Sequence, residues 1–570
     1  MRLGRSRSKN SETLYMIKST YEEGKNSSKI VERLGSPEEI AAKHPGVDPY
    51  QWAKGYIAEA TAKEKAGRAE VIARFSPAKL LEKDRRQLFG GGYLFLQRIY
   101  HDLGLPAICE EISSRHKFDF DLDEVLSRLI YGRILHPASK LATHKFSSTL
   151  IEGSRFELHH TYRALEVLAT ESDFIQSELY RRSKKVCCRN DAILYYDCTN
   201  YFFEIEEENG LKQYGHGKDH RPTPIVQMGL FMDGDGLPLA FCITPGNTNE
   251  QTTLIPLEKK ILSDFCHAKF VVCTDAGLSS TANRKFNDAH DRAFITTQSV
   301  KGLKGYLKDW ALETGGWQLP GSDKTYDITA LDEERYYDRV FYKERWIKEA
   351  GLEQRLLVTY SLKYRNYERQ IRARQIQRAQ AMLEKNPSQI SRASATDSKR
   401  FISQTSLTGD GEIADKRIYR IDEAKIAKEE AFDGFYGVCT NLTDPPEAIV
   451  AVNRRRWQIE ECFRIMKHEL KARPAYLSRD DRIAAHFMTC FIALMLYRLL
   501  EKRLADAFTT TEIIDGLRSM DFLKVKGEGY LPAYTRTDFT DALHEAFGFR
   551  TDTQIVTTAQ MRRIVKMTRK

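Results

Sequence analysis

No C-x-x-C spacing occurs in this chain, although it holds ten cysteines. That absence excludes zinc-finger and redox-motif readings. Cys187 and Cys188 are adjacent, and most others, such as Cys273, Cys439 and Cys490, lie inside apolar runs. The pattern suits reduced, buried thiols and predicts a cytoplasmic protein. The basic start is not followed by an apolar segment, so no secretory signal is expected. The longest apolar run, Phe487 to Tyr497, is too short to span a bilayer and ends at Arg498. It predicts a buried core helix and no membrane partner. Gly90 to Gly92 precede no Gly-Lys-Ser/Thr, which excludes a phosphate-binding nucleotide loop. Asp233-Gly234-Asp235-Gly236 lacks the remaining ligands and terminal Glu of a calcium loop, and reads as a hairpin turn.

At 570 residues the chain exceeds one compact core, and about three or four domains are expected. Lys and Arg total 88 against 79 Asp and Glu, a net charge of +9 that permits a nucleic-acid partner without demanding one. Clustering says more than the sum. Arg2, Arg5, Arg7 and Lys9 form a basic amino-terminal arm. Lys363 to Lys385 carries seven Lys/Arg against two Glu on a helical pattern, as a solvated helix face would.

The segment Asn453 to Leu470 carries the sharpest pattern. Ile459, Phe463, Met466 and Leu470 recur at i, i+4, i+7 and i+11, one apolar stripe of a helix. At about 100° per residue, Asn453, Arg456, Glu460 and Lys467 fall within about 60° of arc beside that stripe. Glu461 points away from it. A carboxylate between cations at a core boundary suits metal and phosphate binding, since each group is held and only partly hydrated.

Two aspartates upstream sit at strand ends. Ala192 to Phe203 is a continuous apolar and aromatic run containing Asp197, the pattern of a central strand. Ile225 to Met232 and Pro238 to Ile243 predict two more strands. Asn249 predicts a helix cap, Lys269 to Thr274 a strand ending at Asp275, and Ala293 to Gln298 a last strand after a short helix. Three strands, helix, strand, helix, strand is the order of an α/β RNase H-like (retroviral-integrase-like) core. There the first and fourth strands are neighbours, so Asp197 and Asp275 would meet. Asp275 before Ala-Gly also suits a plain helix cap, and Asp197 a structural aspartate. Hard carboxylate donors without a cysteine or histidine set favour Mg²⁺ or Mn²⁺ over Zn²⁺.

On these residues the chain resembles the DDE transposases of bacterial insertion sequences, in the branch marked by Y-x2-R-x3-E-x6-K. The signature falls on Asn453, Arg456, Glu460 and Lys467, with Asn453 where the family has Tyr. Asp197 in YYDCTNYFFE resembles the first acidic motif and Asp275 in VVCTDAGLSS the second. Gly217 to Pro222, with Lys218, His220 and Arg221, is similar to a polar loop of these enzymes. The resemblance implies catalysis and metal binding by Asp197, Asp275 and Glu460, with two Mg²⁺ (or Mn²⁺) ions per site. It implies DNA contacts from Arg456, Lys467, Asn453, Trp457, Lys218, His220 and Arg221. Its implied partners are double-stranded DNA with terminal inverted repeats, target DNA, and a second copy in a homodimeric synaptic complex.

The expected organisation is a basic arm and small DNA-binding region over 1–75, a helical domain over 76–187, and catalytic core over 188–300. A strand-containing insertion over 301–430, returning core over 431–505 and a C-terminal helical region over 506–570 follow. Two other readings stay open: an RNase H-like nuclease without strand transfer, and an inactive DNA-binding descendant.

Overall fold

The structure, a computed structural model, describes residues 1–570 except 9–10, 23–24, 69–70, 72–75, 79, 218–220, 290, 386–396 and 408–415. The chain divides into two compact units: residues 1–85 with 525–529, and residues 86–524 with 530–570.

The first unit holds a three-stranded antiparallel sheet, β1 (Arg2–Ser8), β2 (Ser11–Glu22) and β3 (Lys25–Gly35), followed by helices Pro37–Lys43 and Pro49–Arg68. The first helix starts at a reciprocal cap between Ser36 and Glu39. Leu14, Ile40 and Ala53 form its small core. The basic arm expected here is therefore a paired strand. Arg7 pairs with Glu12 at 3.2 Å, and the Arg5 guanidinium lies 4.8 Å over the Tyr50 ring. Lys9 falls outside the described residues.

In the second unit, helices precede the sheet. Leu122–Leu135 and Leu158–Thr170 belong, with Asp480–Arg503, to one large apolar core. Asp480–Arg503 has 24 residues and is the one helix among the described residues long and apolar enough to cross a membrane. It is nevertheless 94% buried over its apolar window, as the run Phe487 to Tyr497 predicts for a core helix. A small sheet joins β4 (Leu88–Gly90) to C-terminal strands in the order β19-β18-β17-β4, with β17 Asp521–Val525, β18 Gly529–Pro532 and β19 Val556–Thr557.

The main sheet has ten strands. Its first five are β5 (Ile193–Phe202), β6 (Ile225–Asp233), β7 (Pro238–Pro245), β8 (Val271–Thr274) and β9 (Ala293–Gln298). They lie in the order β7-β6-β5-β8-β9, with β5, β6 and β7 antiparallel and β5, β8 and β9 parallel. β5 and β6 are buried almost throughout, so both faces are covered, which is why each reads as an unbroken apolar run. The Asp233 to Gly236 segment is the turn between β6 and β7. Gly236 has φ +82°, a left-handed conformation that favours glycine.

Residues from the expected insertion extend that same sheet. β10 (Trp317–Gln318), β11 (Thr325–Tyr326), β12 (Phe341–Glu349) and β13 (Leu352–Tyr360) lie in the order β11-β10-β12-β13. The returning strand β16 (Phe435–Thr440) joins β13 to β9. Between them come the basic helix Leu362–Lys385 and a hairpin of β14 (Ile402–Leu407) and β15 (Lys416–Ile421).

The segment expected as one helix from Asn453 to Leu470 is broken. Pro446–Arg454 is one helix, Trp457–Arg464 another, and Ile465–Glu469 a turn of π-helix. At the break the backbone ladder tightens: Arg456 donates to the Asn453 carbonyl and Ile459 to that of Arg456, each three residues back. The stripe Ile459, Phe463, Met466 and Leu470 is nonetheless buried, at 0%, 5%, 0% and 0% exposure.

Candidate active site

Parallel pairing sets the position of the two aspartates. Ile193, Leu194 and Tyr195 on β5 stand opposite Val271, Val272 and Cys273 on β8. Continued for two more residues, past the end of β8 at Thr274, this register would set Asp275 opposite Asp197. Alternation along a strand then fixes the face. Tyr195 donates its hydroxyl proton to the Val452 carbonyl at 2.8 Å, and Cys273 donates to Asn453 Oδ1 at 3.6 Å. Asp197 and Asp275, each two residues further on, share that face, the one covered by the helices of residues 446–464.

Asp197 is 9% exposed, and its Oδ1 accepts the Cys198 N–H at 2.8 Å. Asp275 caps the following turn through the Leu278 N–H at 3.0 Å, as the cap reading predicts. That bond occupies Oδ1 alone. Asp275 Oδ2 lies 3.9 Å from Arg456 Nη1, and Glu460 Oε1 lies 3.9 Å from the same nitrogen. The two carboxylate oxygens are thus no further apart than twice that distance. The Glu460 side chain is 61% exposed and sits in the first turn of Trp457–Arg464, where the helix dipole favours an anion.

Beyond Asp197 on the same face, Thr199 accepts a hydrogen bond from Lys467 Nζ at 2.5 Å, and that ammonium lies 5.6 Å over the Tyr201 ring. Contacts from Val452 to Lys467 thus follow β5 from Tyr195 to Tyr201. Arg456 and Glu460 fall between these ends, as Asp197 does. The π-helical turn carries Lys467 to the strand, a distortion often found at functional sites. Arg456 keeps a buried Nε without a hydrogen-bond partner.

The remaining expected residues are placed differently. Asn453 is 3% exposed. It accepts from Cys273 and from Thr297 at 3.5 Å, and donates to the Tyr436 hydroxyl at 2.7 Å. These bonds fix the helix of residues 446–454 on the sheet. Trp457 is 60% exposed. Arg221 is exposed, its guanidinium 4.1 Å over the Phe202 ring. Lys218 and His220 lie outside the described residues.

Beside Glu460 runs a groove of about 630 Å³ whose walls include Arg456, Trp457, Tyr364, Tyr367 and Tyr436. The Tyr364 and Tyr367 rings stack at 6.3 Å, and Tyr367 is 58% exposed. The sequence pattern missed these tyrosines and Thr199. Thr199 was within reach as the same-face neighbour of Asp197. The tyrosines were not, since they come from a helix and strand brought here only by sheet order.

Among the described residues no three acidic, histidine or cysteine side chains already gather as a metal cluster. What gathers is Asp275 and Glu460 on either side of the Arg456 guanidinium, with Asp197 on the neighbouring strand. Burial pushes the Cys273 thiol, the cysteine on this face, up to about 12, keeping it protonated. The donors facing the site are therefore carboxylate oxygens, which fit a hard divalent cation.

A family model described as "Transposase DDE domain" matches residues 201–496, just over half the chain. The protein belongs to this transposase family. Asp275 and Glu460 fall inside the matched span, and Asp197 lies four residues ahead of it. Among solved structures, a cryo-EM structure of the piggyBac transposase synaptic complex with hairpin DNA is similar at 7% identity and TM-score 0.34, over 84% of each chain. No curated protein matches.

Proposed function

We propose that this protein is a cut-and-paste transposase of the insertion-sequence branch with the Y-x2-R-x3-E-x6-K signature. It would cleave DNA at terminal inverted repeats and join the freed ends to target DNA, as a homodimer pairing two ends. The observation that carries this reading is Arg456 Nη1, 3.9 Å from Asp275 and 3.9 Å from Glu460 on the face that also bears Asp197. The strand order β7-β6-β5-β8-β9 supports an RNase H-like core, with Asp197 on β5 and Asp275 one residue past the end of β8.

Asp197, Asp275 and Glu460 would hold Mg²⁺ or Mn²⁺, two ions per site. Bound there, such ions supply Lewis-acid stabilisation of the attacking and leaving oxygens of a phosphodiester. Arg456 and Lys467 would neutralise the non-bridging oxygens through charge-assisted hydrogen bonds. Trp457 and the exposed Tyr367 present aromatic faces on which an unpaired base would stack. The overall change is hydrolysis of one phosphodiester, which frees a 3′-hydroxyl. Attack of that hydroxyl on a second phosphodiester then expels a new 3′-hydroxyl. Neither step requires a protein nucleophile.

An end-joining assay tests this. Full-length protein with Mg²⁺ and DNA carrying the element ends is expected to yield both cut ends and products joined to a target plasmid. Cut ends without joined product would mark a nuclease. Binding without either would mark an inactive descendant.

A further inference from the structure

A second basic site lies past the C-terminal end of β5. A cavity of about 330 Å³ opens between helices Leu122–Leu135, Lys140–Ser147 and Asp480–Arg503 and the loop of residues 471–477. Arg133, Lys140, Lys471, Arg473 and His486 all line it, and no carboxylate does.

Two of these cations are deeply buried, Arg133 at 4% and Lys140 at 5% exposure, beside His486 at 4%, whose imidazole burial holds neutral, well below its ordinary range. Arg133 donates to the carbonyls of Leu470, Lys471 and Ala138 at 3.2, 3.3 and 3.3 Å, and its Nε has no partner. His486 Nε2 bonds the Ala472 carbonyl at 3.1 Å, and its Nδ1 has no partner. Helix Lys140–Ser147 starts at this cavity, so its first backbone N–H groups add positive potential there. Burial, with Arg133 nearby, brings the Lys140 ammonium down to about 7. Cations buried together without a counter-charge are unfavourable, and an anion in their midst reverses the balance.

We infer that this cavity binds a phosphate group, held inside by Lys140 and Arg133 and at its mouth by Lys471 and Arg473. Donors diverging from a guanidinium and an ammonium suit an anion with several oxygens better than a halide. The location favours a phosphate of the DNA backbone over a free one. Arg473 lies 5.4 Å over the Phe202 ring, where Arg221 also sits, so basic groups continue along β5 from Lys467. From Asp197 to Phe202 the strand rises about 17 Å, close to half a turn of B-DNA.

The full chain tests this with two probes. Thermal unfolding in potassium phosphate is compared with potassium chloride at equal ionic strength. Binding of a duplex is measured against salt. Lys140→Met keeps the aliphatic stem and removes the buried charge, so its midpoint in chloride is expected to equal or exceed that of wild type. Lys471→Gln, at an exposed position, serves as a variant that cannot disturb the core. Phosphate is expected to raise the wild-type midpoint by about 2 °C and to lose this effect in Lys140→Met. For a DNA backbone phosphate, both variants weaken duplex binding, about tenfold for Lys140→Met, uniformly across sequences, and the salt slope falls by about one. A phosphate shift with unchanged DNA binding assigns the site to free phosphate. No phosphate shift together with unchanged DNA binding in both variants overturns the site. None of these readouts needs cleavage, so they stand apart from the active-site reading.

Discussion

Glu460→Gln is expected to lower DNA cleavage by at least about 10³-fold while leaving binding of end-containing DNA intact. Glu461→Gln, one residue on, is expected to stay within about threefold of wild type. The contrast follows from where the helix puts them. Glu460 is 61% exposed and touches only Arg456 in its ion pair, so its amide should not disturb folding. Glu461 faces away and pairs with Arg464 at 2.6 Å, and that guanidinium holds its carboxyl below the usual range. A half-buried pair of this kind, Arg464 at 45% and Glu461 at 27% exposure, is still largely screened by solvent and is worth about 1 kcal/mol. Cleavage rates of the two variants on one substrate decide the matter, and equal damage from both would overturn the choice of Glu460.

Arg189→Met is expected to destabilise the second unit by about 3–5 kcal/mol. The Arg189 and Asp233 side chains are both 0% exposed, with Nε to Oδ2 at 2.6 Å. The same guanidinium donates to Ser183 Oγ at 2.8 Å and to the carbonyls of Leu237 and Pro238 at 3.1 and 2.8 Å. It therefore ties the end of helix Ser172–Val186 to the β6–β7 turn. Removing it strands a buried carboxylate on the strand paired with β5, since Asp233 stands opposite Leu194. Adding Asp233→Asn should recover part of the loss. Arg536→Ala, at a pair 64% exposed on the Arg side, should cost far less than Arg189→Met. Thermal melts of the four proteins check this. An Arg189→Met midpoint within a degree of wild type would contradict it.

Much of the sheet core was legible because local signals agree there. The unbroken apolar runs of β5 and β6, the Asp-Gly turn and the Asn249 cap each name one element, and Asn249 does cap a turn at Gln251. The sequence could not show the break at Arg455, since no Pro or Gly marks it and the helical period runs on through three arginines. β1 and β3 carry charged side chains with no clear alternation, and they exist through backbone pairing to β2, where Leu14 and Met16 are buried. The continuation of the sheet through β16 and β13 is a long-range choice that no local pattern encodes. The phosphate cavity was invisible for the same reason. Its cations come from residues 133–140, 471–473 and 486, three segments that only tertiary packing unites.

The convergence of Asp197, Asp275 and Glu460 is tested most directly by anomalous diffraction from Mn²⁺ in crystals of the full chain with end DNA. Two ions are expected, each within about 2.3 Å of oxygens from this carboxylate set, with Glu460 giving up its contact to Arg456 to join Asp197 and Asp275. Manganese bound elsewhere, with Asp197 and Glu460 oxygens still more than about 10 Å apart, would contradict it.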